Sequence, residues 1–294
     1  MDLVFWPAAV RTHSFADHVR AAVAGGFTAL AIAPETYALE RAAGRSARDL
    51  SRLAADHDVP IRHLDTVTAW APLRAPDWAS PEVRARFDVS LDDCFAMAEA
   101  LGLETMLAIA GFEAGALAQS ALVDCFGAFC ERAGRSDLWV DLEFMPFLGI
   151  PNLASAWAIV SGAKAANSGI LIDTWHFARG DYDLDLLAAN PGDHPFSLQL
   201  ADGWATPRAA SLFEDTLRFR RFPGEGELPL ADILSALIGK GRLRSVGVEI
   251  YSDEADALAA EEAGRRCGAG MRDIFARAGL SVGPYPLIHS NQQT

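Results

Sequence analysis

Ile170-Leu171-Ile172-Asp173-Thr174-Trp175-His176 is an apolar run that ends in a carboxylate and, three residues later, an imidazole. A continuous apolar run of this length reads as a strand buried on both faces, the mark of a parallel sheet. The neighbouring runs repeat the pattern. Leu138-Trp139-Val140-Asp141-Leu142-Glu143-Phe144 ends near Glu143, Phe196-Ser197-Leu198-Gln199-Leu200-Ala201-Asp202 carries Gln199, and Ser245-Val246-Gly247-Val248-Glu249-Ile250-Tyr251 delivers Glu249. Working outward, the candidate strands are Leu3–Trp6, Ala29–Ala33, Ile61–Asp65, Met106–Ala110, Leu138–Phe144, Gly169–Thr174, Phe196–Leu200 and Ser245–Ile250.

Between these runs lie alanine- and leucine-rich stretches with apolar residues at helical spacing, such as Phe15–Ala24, Ala47–His57 and Leu91–Leu101. Ser14 and Ser90 stand where N-caps belong, and Gly102 and Gly134 where helices should stop. Most strand-to-strand intervals are about 30 residues, the size of one βα unit. Two are longer: Thr66–Val89 reads as an extended loop, and Asp202–Leu228 ends in Pro223-Gly224-Glu225-Gly226-Glu227. Eight strands, each followed by a helix, predict an α/β fold, a single (β/α)8 TIM barrel occupying residues 1–294 as one domain. A doubly wound sheet is the competing architecture, but no GxGxxG follows the first strand, so dinucleotide binding has no support.

Composition narrows the class. The 294 residues include 39 Asp plus Glu against 25 Lys plus Arg, a formal charge of −14. Such a surface repels phosphate backbones, so no nucleic-acid partner is expected. The only lysines are Lys164 and Lys240, so no polybasic membrane patch exists, and no apolar run approaches the ~18 residues of a membrane span. The start, Met1-Asp2-Leu3-Val4-Phe5-Trp6, has no basic n-region, and a cytoplasmic location follows as the expectation. Cys94, Cys125, Cys130 and Cys267 form no CxxC pair and read as small buried hydrophobes. His13, His18, His57, His194 and His289 read as surface or loop residues. A homo-oligomer is compatible with all of this.

In a barrel the reactive groups sit at the C-terminal ends of strands. Four consecutive strands deliver Glu143, Asp173, Gln199 and Glu249 to one rim. Three carboxylates that converge there repel one another unless a cation neutralises them. Two Glu, one Asp and one amide oxygen form an all-oxygen set suited to one divalent cation, Mg²⁺ or Mn²⁺ first, with Co²⁺ or Zn²⁺ as alternatives. Each carboxylate alone reads equally well as a solvated rim residue; their shared register favours the metal.

Leu142-Glu143-Phe144, Asp173-Thr174-Trp175-His176-Phe177, Ser197–Asp202, Arg221-Phe222-Pro223-Gly224-Glu225-Gly226-Glu227 and Val248-Glu249-Ile250 occur in that order. Together they resemble the xylose isomerase-like TIM-barrel superfamily, the sugar phosphate isomerase/epimerase family, which includes ketose epimerases, inosose and 3-dehydroshikimate dehydratases and an endonuclease branch. The resemblance implies that Glu143, Asp173, Gln199 and Glu249 are metal ligands and that His176 and Arg221 hold substrate oxygens. Gln199 departs from the pattern, because most isomerases and epimerases of this superfamily carry His there. Glutamine occurs in some members, including bacterial 3-dehydroshikimate dehydratase-like enzymes.

The chemistry implied is an isomerase or epimerase that takes a proton next to the carbonyl of a sugar or keto-polyol through a metal-stabilised enediolate, with Glu143, Glu249 and His176 catalytic. The alternative is a metal-dependent dehydratase, a lyase of a cyclic keto-polyol, in which the same anion expels a hydroxyl. His63 and Asp65, which close the third strand run, and Trp70 and Trp204 are further candidates for substrate contact, each with a packing role as its rival. A retaining glycosidase would leave Asp173 and Gln199 unexplained. A barrel that binds sugar without turnover is the remaining alternative.

Overall fold

The computed structural model describes residues 1–191, 194–238, 243–281 and 288–289. Eight parallel strands close in sequence order: β1 (Asp2–Phe5), β2 (Ala29–Ile32), β3 (Ile61–Val67), β4 (Thr105–Ile109), β5 (Trp139–Glu143), β6 (Ser168–Asp173), β7 (Phe196–Leu200) and β8 (Leu243–Val248). The seam pairs Asp2 with Ser245 and Phe5 with Val248, and helices connect the strands, so the chain is a (β/α)8 barrel. Every expected strand is present, with ends shifted by a residue or so in most cases. Lys240 and the side chain of His289 lie outside the described residues.

Strand side chains alternate between the two faces of the barrel wall. Val4, Trp6, Ala29, Ala31, Leu107 and Leu171 form a small apolar cluster separate from the large one that includes Phe5, Leu30, Ile32, Val140, Leu142, Ile170 and Ile172. The alternation that puts Val4 in one cluster and Leu3 and Phe5 in the other is the period of a strand. The small cluster leaves no room to spare: a Cβ on Gly247 would sit 2.5 Å from Trp6 Nε1. Below the mouth, the buried Asp141 accepts from Ser197 Oγ at 2.7 Å and Trp139 Nε1 at 2.8 Å.

Local signals explain most helix ends. Ser14 caps the helix Phe15–Gly25 in a reciprocal box with Asp17, and Ser90 accepts from the Asp93 N–H. Gly102 ends Leu91–Leu101 in the left-handed conformation at φ 68°. Gly134 does not play that role: the helix Gln119–Gly134 runs through it and Arg135 caps the end. The segment Thr66–Val89, expected to be loop, contains the helix Pro81–Phe87, with Ser80 accepting from Val83 N–H and proline in the first turn. Asp202–Leu228 likewise holds the helix Leu212–Arg218. Three of the four cysteines are buried, Cys125 is half-buried, and all are free.

His18, expected at the surface, is buried, with its Nε2 3.1 Å from the Val10 carbonyl. Its place on the inner face of the first helix, next to Phe15 and Val19, made it core. Burial pushes its pKa down to about 4, and burial does the same to His63. The unfolded imidazole takes a proton near 6.5, so between there and pH 4 the unfolded chain binds protons that the fold refuses. Stability tied to His18 is complete above about pH 6.5 and falls by about 2 kcal/mol at pH 5. Urea unfolding of the parent and His18→Gln at pH 7 and pH 5 tests this. The parent should lose more stability on acidification than the variant; equal losses would refute the assignment.

Candidate active site

Asp173 is the last residue of β6 and also the N-cap of the helix Thr174–Arg179, where its Oδ1 accepts from the His176 N–H at 2.9 Å. One carboxylate therefore ends a strand and sets the first turn that presents His176. Glu143 ends β5, Gln199 lies in β7 beside Asp173 in register, and Glu249 directly follows β8. All five residues are buried, none more than 5% exposed. His176 Nε2 lies 3.8 Å from Glu143 Oε1.

The cation in this cluster is Arg220. Its guanidinium donates to Asp173 Oδ2 at 2.7 Å, reaches Glu249 Oε2 at 3.4 Å and lies 3.0 Å from His176 Nε2. Thr216 Oγ1 accepts from its Nε and its second terminal nitrogen at 3.0 and 2.8 Å. Because arginine only donates, His176 Nε2 must accept, which leaves the imidazole neutral with its proton on Nδ1. Burial pushes the His176 pKa down to about 3, in agreement.

Arg221, matched by sequence to a substrate-holding role, points elsewhere. Its Nε donates to the Glu225 carbonyl at 2.9 Å, its terminal nitrogen meets Glu254 at 3.2 Å, and it stacks 4.7 Å from the Trp204 ring. Bridges from Phe219 to Ser252 and from Asp202 to Arg221 hold this segment extended. Neighbouring side chains of an extended chain face opposite ways, so Arg220 faces the carboxylates where the resemblance had pointed to Arg221. Trp204 lies with Arg208 and Arg221 in an outer cleft. Trp70 is buried and donates to the Ile109 carbonyl at 2.8 Å. His63 sits inside the barrel, 5.6 Å from Trp6, with neither ring nitrogen hydrogen-bonded. None of these four lines the cavity at the mouth.

That cavity, about 100 Å³, is lined by Glu143, His176, Arg220 and Glu249, and also by Asp65, Arg86, Tyr251, Phe147 and Phe213. Arg86 ion-pairs with Glu35 at 2.9 Å and donates to the Tyr251 hydroxyl at 3.0 Å. Of these, Asp65 is a sequence candidate because it ends an apolar run as the other carboxylates do, and it lines the cavity where His63 does not. Arg86 and Phe213 lie on helices too short to show a repeat, Pro81–Phe87 and Leu212–Arg218, and Phe147 lies in a turn.

Electrostatics at the mouth are severe. Burial, then Glu249, Asp173 and Asp65, hold the Glu143 carboxyl well above its ordinary range. Burial and then Asp65 do the same to Glu249, and Asp65 itself is pushed up to about 7 by burial. Glu143, Asp173 and His176 offer donor atoms within 4.8 Å of one another and could hold a metal ion. Glu143 Oε1 and both amide atoms of Gln199 are buried without a hydrogen-bond partner. Orphaned oxygens among crowded carboxylates are what a divalent cation would satisfy.

Residues 19–267 match the family described as xylose isomerase-like TIM barrel. The chain belongs to that family. Over 210 residues it is 29% identical to the 3-dehydroshikimate dehydratase of Pseudomonas aeruginosa, covering 71% of this chain and 32% of that protein. It is 34% identical over 127 residues to the inosose isomerase of Halalkalibacterium halodurans, covering 42% of this chain and 43% of the relative. The chain thus spans less than half the length of these relatives, which are enzymes. Among solved structures of this xylose isomerase-like fold, the IOLI protein with a bound zinc atom aligns at TM-score 0.78 and 21% identity, over 95% of this chain and 99% of that one. D-psicose 3-epimerase aligns at TM-score 0.65 and 12% identity, over 95% and 100%. At these identities the likeness is one of fold. No helix among the described residues is long and apolar enough to cross a membrane.

The different settings of the two arginines are measurable. Removing Arg220 leaves Asp173 and Glu249 buried beside no guanidinium, which costs ~3–5 kcal/mol. Arg221 is a surface pairing worth at most about 1 kcal/mol. Denaturant melts of Arg220→Leu and Arg221→Leu should separate by that margin, and equal losses would contradict the geometry.

Proposed function

We propose that this chain is a divalent-metal-dependent isomerase or epimerase of a small hydroxy ketone, a carbonyl sugar or keto-polyol, acting by proton abstraction next to the carbonyl. The observation that carries the reading is geometric: Glu143 and Glu249 line one buried cavity with His176 and Arg220, and Glu143, Asp173 and His176 offer donor atoms within 4.8 Å of one another. A carboxylate can take a proton from carbon, and its protonated form can return one. Glu143, Asp173, Gln199 and Glu249 would hold the cation, with Mg²⁺ or Mn²⁺ favoured by the all-oxygen set. When bound, the cation supplies Lewis acidity that polarises the substrate carbonyl.

The remaining work belongs to side chains. One glutamate takes the proton from the carbon next to the carbonyl. Arg220, kept in place by Thr216 and Asp173, brings positive charge to the wall where the enediolate oxygens develop. His176, neutral and fixed by the Asp173 cap, orients a substrate oxygen through its Nδ1 proton. The other glutamate returns a proton to the adjacent carbon or the opposite face. The apolar side chains around the opening limit water around the anion.

A second reading shares the first half: dehydration, in which the enediolate expels a hydroxyl that a protonated carboxyl converts to water. Gln199 in place of histidine and the identity to 3-dehydroshikimate dehydratase over 71% of the chain favour it. Cytoplasmic residence agrees with the acidic composition.

The test uses scyllo-inosose and D-fructose deuterated next to the carbonyl, with Mg²⁺ or Mn²⁺ present. The parent should release label to solvent from at least one of them. Glu143→Gln or Glu249→Gln should bind metal yet lose release by ~10²–10⁴-fold. Product mass unchanged marks isomerisation, and loss of water marks dehydration. Normal release in both variants would end the acid–base assignment.

A further inference from the structure

A second cavity adjoins the mouth. It measures about 250 Å³ against about 100 Å³ for the mouth cavity, so it has room for what the mouth holds. The segment after β1 supplies Arg11, His13 and Phe15 to its lining, and the helix Pro34–Ala42 after β2 supplies Glu35, Thr36 and Leu39. Asp65, Arg86 and Tyr251 line both cavities. Side chains that face two spaces stand between them, so these three form the partition.

Its members are held in different ways. Asp65 is a buried residue of β3, and Tyr251 lies three residues past the end of β8, its ring 5.6 Å from the Arg11 guanidinium and 5.8 Å from that of Arg86. The barrel wall places both. Arg86 instead comes from the helix Pro81–Phe87, in the long connection after β3. Its guanidinium crosses from there to two other connections, pairing with Glu35 at 2.9 Å and donating to the Tyr251 hydroxyl at 3.0 Å. The Arg86 and Glu35 side chains are 38% and 42% exposed. An ion pair in that setting is weak. The crossing member of the partition is therefore a side chain that can be shortened without opening the core.

We infer that Arg86 sets the length of the substrate: reaching across to Glu35 and Tyr251, it ends the site at one sugar or keto-polyol unit and shuts off a chamber that a glycosylated ketose would otherwise enter. This rests on the proton-abstraction reading above and adds a size limit to its substrate. A ketose that carries a second sugar presents the same reacting end, so the carboxylates cannot tell it from the free ketose. A clash can, and building a clash against the wrong ligand is a general route to specificity. Arg86 is placed to supply it, because the path from mouth to chamber runs through the partition. With the arginine shortened, His13, Thr36 and Glu35 would offer hydrogen-bond partners to the hydroxyls of the second sugar.

The probes are D-fructose and three ketoses that carry glucose on it, turanose, leucrose and isomaltulose, linked through O3, O5 and O6. Binding to the full chain with Mg²⁺ is read by saturation-transfer NMR titration. The parent should bind D-fructose at least about tenfold more tightly than one or more of the disaccharides. Arg86→Ala should bring such a disaccharide to within roughly threefold of D-fructose while the chain remains folded by circular dichroism. Glu35→Ala, which leaves Arg86 without its ion-pair partner, should move the preference the same way by less. Equal binding of all four sugars by the parent, absence of D-fructose binding, or an unchanged preference in both variants would overturn the inference. So would weaker D-fructose binding in Arg86→Ala with no disaccharide gaining, which would make Arg86 a substrate contact and not a stop. Deuterium uptake from solvent by D-fructose and scyllo-inosose, read by mass, judges the reaction separately. A shifted preference without uptake would refute proton abstraction and leave the length limit standing; uptake with an unshifted preference would do the reverse.

Discussion

Asp173 carries the arrangement of the mouth. It is fully buried, ends β6, caps the next helix through Oδ1 and holds Arg220 through Oδ2. A carboxylate out of water must have its oxygens occupied, and here each oxygen fixes a different functional side chain. His176 owes its position to the first contact and Arg220 to the second. The barrel brings Glu143 and Glu249 to the same place from strands that are not neighbours. Their crowding is the physical reason that the site calls for positive charge.

Asp202 does similar work one layer outward. Its Oδ1 accepts from the N–H groups of Gly203 and Leu228, and its Oδ2 from those of Gly224 and Gly226. Four backbone donors on one carboxylate tie the segment after the helix Leu212–Arg218 back to the end of β7. That segment is the one that carries Arg220, so the guanidinium inside the mouth and the glycine-rich turn outside it form one unit. That turn is the fastening of the site's arginine.

Strand order and the carboxylate rim were legible because both follow from a period of two. Apolar runs gave the strands, and each carboxylate marked a strand end. The resemblance pointed to Arg221 and the fold presents Arg220: one residue of register on a short extended segment reverses a side chain, and nothing in Arg220-Arg221-Phe222-Pro223 indicates where that register begins. Trp70 and Trp204 were chosen for being aromatic near strand ends, but loop side chains have no periodicity to give their direction. Phe147 and Phe213 reached the cavity instead. The helix Pro81–Phe87 is too short to show a repeat, although Ser80-Pro81 is a readable start signal. His18 could have been recognised as core from its spacing to Phe15 and Val19 in the same helix.

The central claim is that the buried carboxylates beside Arg220 form a site for one divalent cation. Crystals grown with Mn²⁺ and measured at the manganese absorption edge test it most directly. The account predicts a single strong anomalous peak per chain, bordered by Glu143, Asp173, Gln199 and Glu249, with the guanidinium of Arg220 next to it. No peak among these side chains at saturating Mn²⁺, or manganese bound only at surface carboxylates, would contradict it.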